Sequence, residues 1–199
     1  NTGTMKAAAG AVAVLDVKDG SVMAASNYPS YDQNLYASNY SEYSSDPSLP
    51  LFNRALQGLY TPGSTFKPIT AIAGLEEKVI GLYETIDCTG EYKEVDRPIK
   101  CWIYPGQHGP LDVVHGIQNS CNVFFSEMGH RLSMDENGNY SPELGIEKIR
   151  KYASMFGLDE TSGIEIAERE PQMTTEKPEA SSIGQGKNSY SNVQLSRYI

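Results

Sequence analysis

The sequence predicts an α/β (α+β) fold, built from an antiparallel β-hairpin near its start and several amphipathic helices after it. Its 199 residues suit one domain, and a hydrophobic content of 39% can support a packed core. The net charge of −9, without any lysine- or arginine-rich run, argues against nucleic acid as a partner and against a membrane surface. No apolar run has the length of a membrane span. Because the chain begins at Asn1 rather than Met, we expect an upstream segment, which could carry an anchor.

The predicted hairpin comprises two short apolar runs at 11–16 and 21–26, and Asp19-Gly20 between them is typical of a tight turn. Residues 27–50 are rich in Tyr, Ser and Pro without a lasting period, which predicts a surface loop. A helix is predicted from Thr65 to about Lys78, with apolar side chains along one side: Phe66, Ile69, Ile72 and Ala73.

The second half of the chain predicts more helix. Residues 83–111 look irregular, and two helical pieces at 113–119 and 123–132 are interrupted at Ser120-Cys121-Asn122. Residues 145–156 have the period of an amphipathic helix, with Gly157 at its C-cap. A polar loop over 167–181 and a short helix from 193 complete the prediction.

Ser64-Thr65-Phe66-Lys67 pairs a candidate nucleophile with a candidate base. Three residues are about one helical turn, so the hydroxyl and the amine would share a face. A serine hydroxyl needs a base within hydrogen-bond reach, and a lysine becomes such a base when burial lowers its pKa. The structural alternative for the same string is a serine that caps the start of a helix and a solvated lysine one turn later.

Ser120 and Asn122, separated by one residue in a predicted turn, can both project into a cleft as a proton-relay pair. Capping of the two flanking helices is the structural interpretation of the same residues. A further set, Cys88, Cys101, His108 and Cys121, lies within 34 residues and has the composition of a tetrahedral zinc site. A Cys88–Cys101 disulfide with a free Cys121 thiol explains the composition equally well.

The order of these strings resembles the transpeptidase domain of penicillin-binding proteins, in the serine acyltransferase and β-lactamase superfamily. Within that family, the chain most resembles the class B, monofunctional enzymes that act in cell elongation or sporulation. Four further strings support the resemblance: Tyr60-Thr61-Pro62-Gly63, Asn53-Arg54-Ala55, Phe156-Gly157-Leu158 and Ser182-Ile183-Gly184-Gln185-Gly186. The resemblance implies a β-lactamase/transpeptidase-like antiparallel sheet flanked by helices. Residues 1–199 are then a partial domain, whose remaining strands we expect after Ile199.

The resemblance also implies a mechanism. Ser64 attacks the penultimate D-alanine carbonyl of a peptidoglycan stem peptide, Lys67 accepts its proton, and Ser120 passes that proton to the leaving amine. Asn122 holds Lys67 and the substrate, and β-lactam antibiotics are trapped at Ser64. The family's third motif, Lys-Thr/Ser-Gly, is absent from this chain. In the family, this third motif donates one N–H to the oxyanion hole. Because losing one such donor lowers the rate by about a hundredfold or more, we expect weak or no turnover from this chain alone.

Some elongation-type members bind zinc beside the active site, with one ligand from the middle residue of the family's second motif, which Ser120-Cys121-Asn122 resembles. The resemblance therefore favours structural Zn²⁺ on Cys88, Cys101, His108 and Cys121 over a disulfide. It further implies the extracytoplasmic face of a bacterial membrane and a membrane glycosyltransferase partner. Two alternatives stay open: a serine β-lactamase or β-lactam sensor, and a non-catalytic, zinc-stabilised interaction module.

Overall fold

The computed structural model describes residues 7–199, and these form two compact units. Of the described residues, unit 1 contains 7–60 together with Glu160–Pro171 and Tyr190–Ile199, and unit 2 contains Thr61–Asp159 and Gln172–Ser189. Helices and antiparallel strands occur in both, which confirms the predicted α/β (α+β) class. None of the described helices is both long and apolar enough to cross a membrane.

Unit 1 contains the predicted hairpin, formed by β1 (Gly10–Leu15) and β2 (Val22–Tyr28) in antiparallel register. The turn between them depends on Gly20, whose φ of +75° favours glycine and whose N–H donates to Asp16 O at 2.8 Å. The last helix, α7 (Asn192–Tyr198), packs against β1 and begins with a capping box between Ser191 and Gln194.

The prediction of a surface loop over residues 27–50 was wrong, because this segment contains helix α1 (Tyr36–Ser45). No residue of α1 is buried, so the sequence contains no apolar stripe that would indicate this helix. Two of its contacts are local, within one turn of the helix: Ser45 Oγ donates to Ser41 O at 2.8 Å, and the Tyr36 and Tyr40 rings meet edge to face. Helices of this kind carry no periodic signal.

Unit 2 is centred on three helices that pack together: α2 (Lys67–Glu76), α4 (Asn122–Leu132) and α5 (Pro142–Met155). Two short antiparallel ladders accompany them, β3 (Ile86–Cys88) with β6 (Gly109–Leu111), and β4 (Glu91–Tyr92) with β5 (Ile99–Lys100). These ladders lie in the segment predicted to be irregular. Fully buried side chains fill the core, among them Phe66, Ile69, Phe124, Phe125 and Met128.

The remaining helices of unit 2 are α3 (Val113–Gln118) and α6 (Pro178–Ser181). The predicted break between α3 and α4 and the predicted end of α5 are both present. Gly157, with φ of +71°, follows the C-cap of α5, and the Leu158 N–H returns to Ala153 O at 3.1 Å. Ile72, predicted to face inward, is 37% exposed, because α2 buries the side that carries Ile69 and Ala73.

Candidate active site and metal-binding cluster

Ser64 lies in a 3₁₀ turn, Gly63–Phe66, that leads directly into α2. The Lys67 N–H donates to Ser64 O within this turn, and side chains three residues apart eclipse in 3₁₀ geometry. Ser64 is exposed, whereas Lys67 is buried. The N-cap of α2 is Phe66 and no side chain caps it, so Ser64 does not serve as a helix cap. The turn therefore exposes Ser64 at a position that 3₁₀ geometry aligns with the buried lysine.

The turn that carries Ser64 is backed by the Ser182-Ile183-Gly184 segment of unit 2. Gly63 N–H donates to Gly184 O at 3.0 Å, and the buried Thr70 hydroxyl on α2 donates to Ser182 O at 2.9 Å. Gly184 has a φ of +71°, and a Cβ built on it would overlap the Gly63 backbone. This close backbone approach requires glycine at position 184 and fixes the position of the residue before Ser64.

Gly184→Ala is expected to displace Gly63 and to lower the rate of Ser64 acylation at least tenfold, because misplacement of a reacting group by about 1 Å can slow a reaction about a hundredfold. The control is Gly186→Ala, whose φ of +77° is equally unfavourable for alanine but whose Cβ would meet no atom closer than 3.5 Å. The measurement is the acylation rate by a fluorescent penicillin, with thermal unfolding of both variants. Equal rates in the two variants would contradict the role of the close approach.

Lys67 is the best-connected polar side chain of the site. Its Nζ lies 2.6 Å from Ser120 O, 3.0 Å from Ser120 Oγ and 2.8 Å from Asn122 Oδ1. Two of these three partners, the carbonyl and the amide oxygen, only accept hydrogen bonds. A neutral amine satisfies both with its two N–H groups and keeps its lone pair for a hydroxyl proton. The arrangement therefore accommodates Lys67 as a base.

Burial lowers the pKa of Lys67 to about 8, and electrostatic interactions with Cys121 and Cys101 partly oppose this shift. The Lys67 ammonium also lies 5.7 Å from the centroid of the Phe125 ring. About a tenth of a group with this pKa is neutral at pH 7, far more than for an ordinary lysine.

This pKa predicts how acylation depends on pH. A base must be unprotonated to accept the Ser64 proton, so the rate should rise about tenfold per unit below pH 8 and level off above it. The measurement is the second-order rate of acylation between about pH 6 and about pH 10, with protein integrity checked at each end. A rate that falls with rising pH would show that the protonated lysine is the active form.

The turn that carries Ser120 and Asn122 joins α3 to α4 by a Schellman motif. The Ser120 N–H donates to Ile117 O at 2.9 Å, and the Cys121 N–H donates to Gly116 O at 3.0 Å. Ser120 itself has a φ of +47°, a strained conformation for serine that is typical of functional sites. Cys121 then caps α4, since its sulfur accepts from the Phe124 N–H. Capping and chemistry thus coexist here, and capping falls to Cys121 instead of Ser120 or Asn122.

Cys88, Cys101, His108 and Cys121 come together in unit 2, with all four candidate ligand atoms within 4.8 Å of one another. His108 Nδ1 lies 3.5 Å from Cys88 Sγ and 3.6 Å from Cys101 Sγ, and the Cys101 and Cys121 sulfurs are 3.9 Å apart. The structure gathers the predicted ligand set from β3, the end of β5, the start of β6 and the α3–α4 turn.

This cluster fits a tetrahedral zinc site. With Zn–S bonds of about 2.3 Å and Zn–N bonds of about 2.05 Å, neighbouring ligand atoms lie about 3.6 to 3.8 Å apart. All three cysteines are buried free thiols, and neither Cys88 nor Cys101 forms a disulfide in the structure. His108 offers Nδ1 to the sulfurs, whereas its Nε2 is buried without a hydrogen-bond partner among the described residues.

Electrostatics within the cluster differ from one cysteine to the next. Burial raises the pKa of Cys121, and the neighbouring Cys88 and Cys101 sulfurs add to the effect. Burial also raises the pKa of Cys101, but the backbone N–H groups of Asn122, Ile103 and Val123 outweigh it and leave that pKa lowered. Several thiols in one buried cluster favour their anionic form together only when a cation balances the charge.

The other histidines lie outside this cluster. His115 is 58% exposed and pairs with Asp112 at 2.7 Å, and His130 lies 3.4 Å from Glu179 Oε1. Trp102, the residue after Cys101, is 67% exposed, and its indole N–H donates to Asn119 O at 2.8 Å. Its position beside Cys101 was the only signal in the sequence. The Lys100 carbonyl accepts a hydrogen bond from Asn122 Nδ2 at 3.0 Å. Nothing in the sequence indicated this contact, because it is made by the backbone of Lys100.

Comparison with known proteins agrees with this geometry. Escherichia coli peptidoglycan D,D-transpeptidase MrdA is 32% identical over 165 residues, which are 79% of this chain and 24% of MrdA. Stage V sporulation protein D of Bacillus subtilis is 35% identical over 159 residues, which are 79% of this chain and 22% of that protein. The chain thus spans about a quarter of the length of these relatives.

Among solved structures, one described as "Structural coordination of polymerization and crosslinking by a peptidoglycan synthase complex" is similar with a TM-score of 0.80 and 28% identity. The similarity covers 93% of this chain and 33% of that one. The family model of the penicillin binding protein transpeptidase domain matches residues 10–199, which include Ser64, Lys67, Ser120 and Asn122. The chain belongs to the penicillin-binding protein transpeptidase domain family, and its relatives are class B members.

Proposed function

We propose that this chain provides the nucleophile, the base and the proton relay of a peptidoglycan D,D-transpeptidase. The observation that carries the proposal is the buried Lys67 amine, in contact with Ser120 and Asn122 and one 3₁₀ turn from the exposed Ser64. Its donor substrate is a stem peptide ending in D-Ala-D-Ala, and its acceptor is an amine on a neighbouring stem. Ser64, Ser120 and Asn122 contact the donor.

The first half-reaction forms an acyl-enzyme. The neutral Lys67 Nζ takes the Ser64 proton as Oγ attacks the penultimate D-alanine carbonyl, and a tetrahedral oxyanion forms. The Lys67 ammonium then gives a proton to Ser120 Oγ, which lies 3.0 Å away and passes its own proton to the departing amine. The C–N bond breaks, terminal D-alanine leaves, and an ester remains on Ser64.

The second half-reaction runs the same proton path in reverse. The acceptor amine attacks the ester, its proton passes through Ser120 to Lys67, and the Ser64 oxygen regains a proton as the ester breaks. Asn122 orients both partners, because its Oδ1 holds Lys67 while one Nδ2 proton is bonded to Lys100 O. The second Nδ2 proton is available for a substrate carbonyl. No step needs a redox partner or a hydrolytic water.

The four-residue cluster would hold Zn²⁺ through Cys88, Cys101, His108 and Cys121. Bound there, the ion supplies a structural cross-link between the loop after Cys88 and the turn of Ser120 and Asn122. The ligand distances and the free, buried thiols support this assignment. The acyl-transfer chemistry itself belongs to Ser64, Lys67 and Ser120.

The setting of the reaction follows from its substrate. Peptidoglycan stem peptides lie outside the bacterial cytoplasm, so we infer an extracytoplasmic location and a glycosyltransferase partner that makes the glycan strands. The similarity to a peptidoglycan synthase complex that couples polymerization with crosslinking supports such a partner. Because this chain contains no Lys-Thr-Gly or Lys-Ser-Gly string, we expect slow acylation from residues 1–199 alone.

The proposal is tested by incubating the chain with excess benzylpenicillin for hours and following its intact mass. The expected result is a single, slowly formed and long-lived adduct, absent in Ser64→Ala. Rapid hydrolysis of a chromogenic cephalosporin without a persistent adduct would instead identify a β-lactamase. A chain that binds zinc but never acquires the adduct, even when the segment expected after Ile199 is supplied, would be a non-catalytic interaction module.

A further inference from the structure

We propose that Trp102 is a positioning residue that holds the Ser120–Asn122 turn in register with Lys67. This inference rests on the transpeptidase function proposed above, since it assigns a role within the same site. Among the described residues, the hydrogen bond of Trp102 goes to the backbone next to Ser120, and not to Ser64 or Lys67. Its indole N–H donates to the carbonyl of Asn119, the residue immediately before Ser120, at 2.8 Å.

Three consecutive residues, 100–102, each hold a different part of the turn. The Lys100 carbonyl accepts from Asn122 Nδ2 at 3.0 Å, Cys101 Sγ lies 3.9 Å from Cys121 Sγ, and Trp102 Nε1 bonds to Asn119 O. The Asn122 amide and the Asn119 carbonyl are thus anchored on either side of Ser120. A three-point contact of this kind fixes the rotation of the turn as well as its distance from the segment.

Packing alone does not explain this tryptophan. Its ring is 67% exposed, so it contributes little buried surface, and its closest ring neighbour is the His108 imidazole at 5.5 Å. The Asn119 carbonyl, at the C-cap of α3, is one of the terminal groups that a helix leaves without an intrahelical partner. The Trp102 indole N–H supplies that partner from outside the helix, directly before Ser120 with its positive φ.

The strain makes an external support necessary. Ser120, with φ of +47°, is in a conformation that only the surrounding structure can maintain. Ser120 provides two of the three hydrogen-bond partners of Lys67 Nζ, its carbonyl and its hydroxyl. If the Asn119 carbonyl loses its donor, the Ser120 backbone can relax and both contacts shift relative to the amine. The consequence is a turn that opens more often and a proton relay that is less often aligned.

The structural test is amide hydrogen exchange in Trp102→Phe, which keeps an aromatic ring and removes the N–H. The Ser120 and Cys121 amides, which close the Schellman motif, should exchange about fivefold faster, as expected for losing one hydrogen bond. The matched control is Tyr104→Phe, which also removes one polar group from an aromatic ring of this loop. The Tyr104 ring contacts the Lys100 ammonium at 4.3 Å instead of the turn. Unchanged exchange at both amides in Trp102→Phe would overturn the proposal.

The kinetic test separates positioning from general destabilisation. Trp102→Phe should lower the first-order acylation step by benzylpenicillin about tenfold while leaving the dissociation constant of the initial complex and the zinc content unchanged. Equal losses in binding, zinc content and melting temperature would show a merely structural role. Because exchange is measured without any β-lactam, it tests the support of the turn even if the chain were never acylated.

Discussion

Replacing Lys67 with arginine is expected to abolish acylation of Ser64, with a loss of about a thousandfold or more. Arginine retains the positive charge but does not deprotonate in proteins, so it cannot accept the serine proton. General-base catalysis typically contributes about a hundredfold to ten-thousandfold, and here the base also starts the proton relay. The measurement is the rate of labelling by a fluorescent penicillin at pH 8.

The second variant, Lys67→Met, keeps a similar apolar stem and removes the amine altogether. Because Lys67 is 1% exposed, the thermal unfolding of both variants must show that they fold. Both should be unreactive, which separates the need for a base from the need for a charge. Labelling of Lys67→Arg within about tenfold of the parent chain would mean that Lys67 acts only through its charge, and the mechanism would be wrong.

Replacing Cys88 with serine is expected to remove the zinc ion that we propose for the four-residue cluster. Cys88 lies on β3, and its Sγ is 3.5 Å from His108 Nδ1 in the cluster. We expect zinc content to fall from about one ion per chain to near zero. Loss of several kcal/mol of ligand stabilisation should lower the melting temperature by about 10 °C. Acylation should also slow, because the turn that holds Ser120 loses its cross-link.

The control for this variant is His115→Ala, since His115 is an exposed histidine close in sequence but outside the cluster. It should retain its zinc and its melting temperature. A chelator should reproduce the effect of Cys88→Ser in the parent chain and leave the variant unchanged. A parent chain free of zinc and insensitive to the chelator, with a Cys88–Cys101 disulfide, would rule out the metal centre.

Much of the fold followed from local patterns in the sequence. The hairpin was predictable because Asp19-Gly20 supplies its turn, and the end of α5 because Gly157 provides a positive φ. Helix α1 was not, since a helix without a buried face has no periodic pattern to detect. The short ladders β3–β6 and β4–β5 depend on contacts between distant residues, which local sequence does not encode.

The site was predictable to a similar degree. The residue types and their order marked Ser64, Lys67, Ser120 and Asn122, and the fold places the last three in direct contact. Their support was not predictable: the glycine at 184 and the Trp102 bond arise from backbone approach and from a carbonyl left open at a helix end. Tertiary geometry decides such contacts, whereas sequence shows only which residue types are present.

The central claim, that Ser64 is the nucleophile activated by Lys67, is tested most directly by locating the acyl group. Tandem mass spectrometry of peptides from the benzylpenicillin-treated chain should place a single penicilloyl group on Ser64, and Lys67→Met should carry none under the same conditions. An adduct on any other residue, or one on Ser64 that forms equally fast in Lys67→Met, would contradict the account.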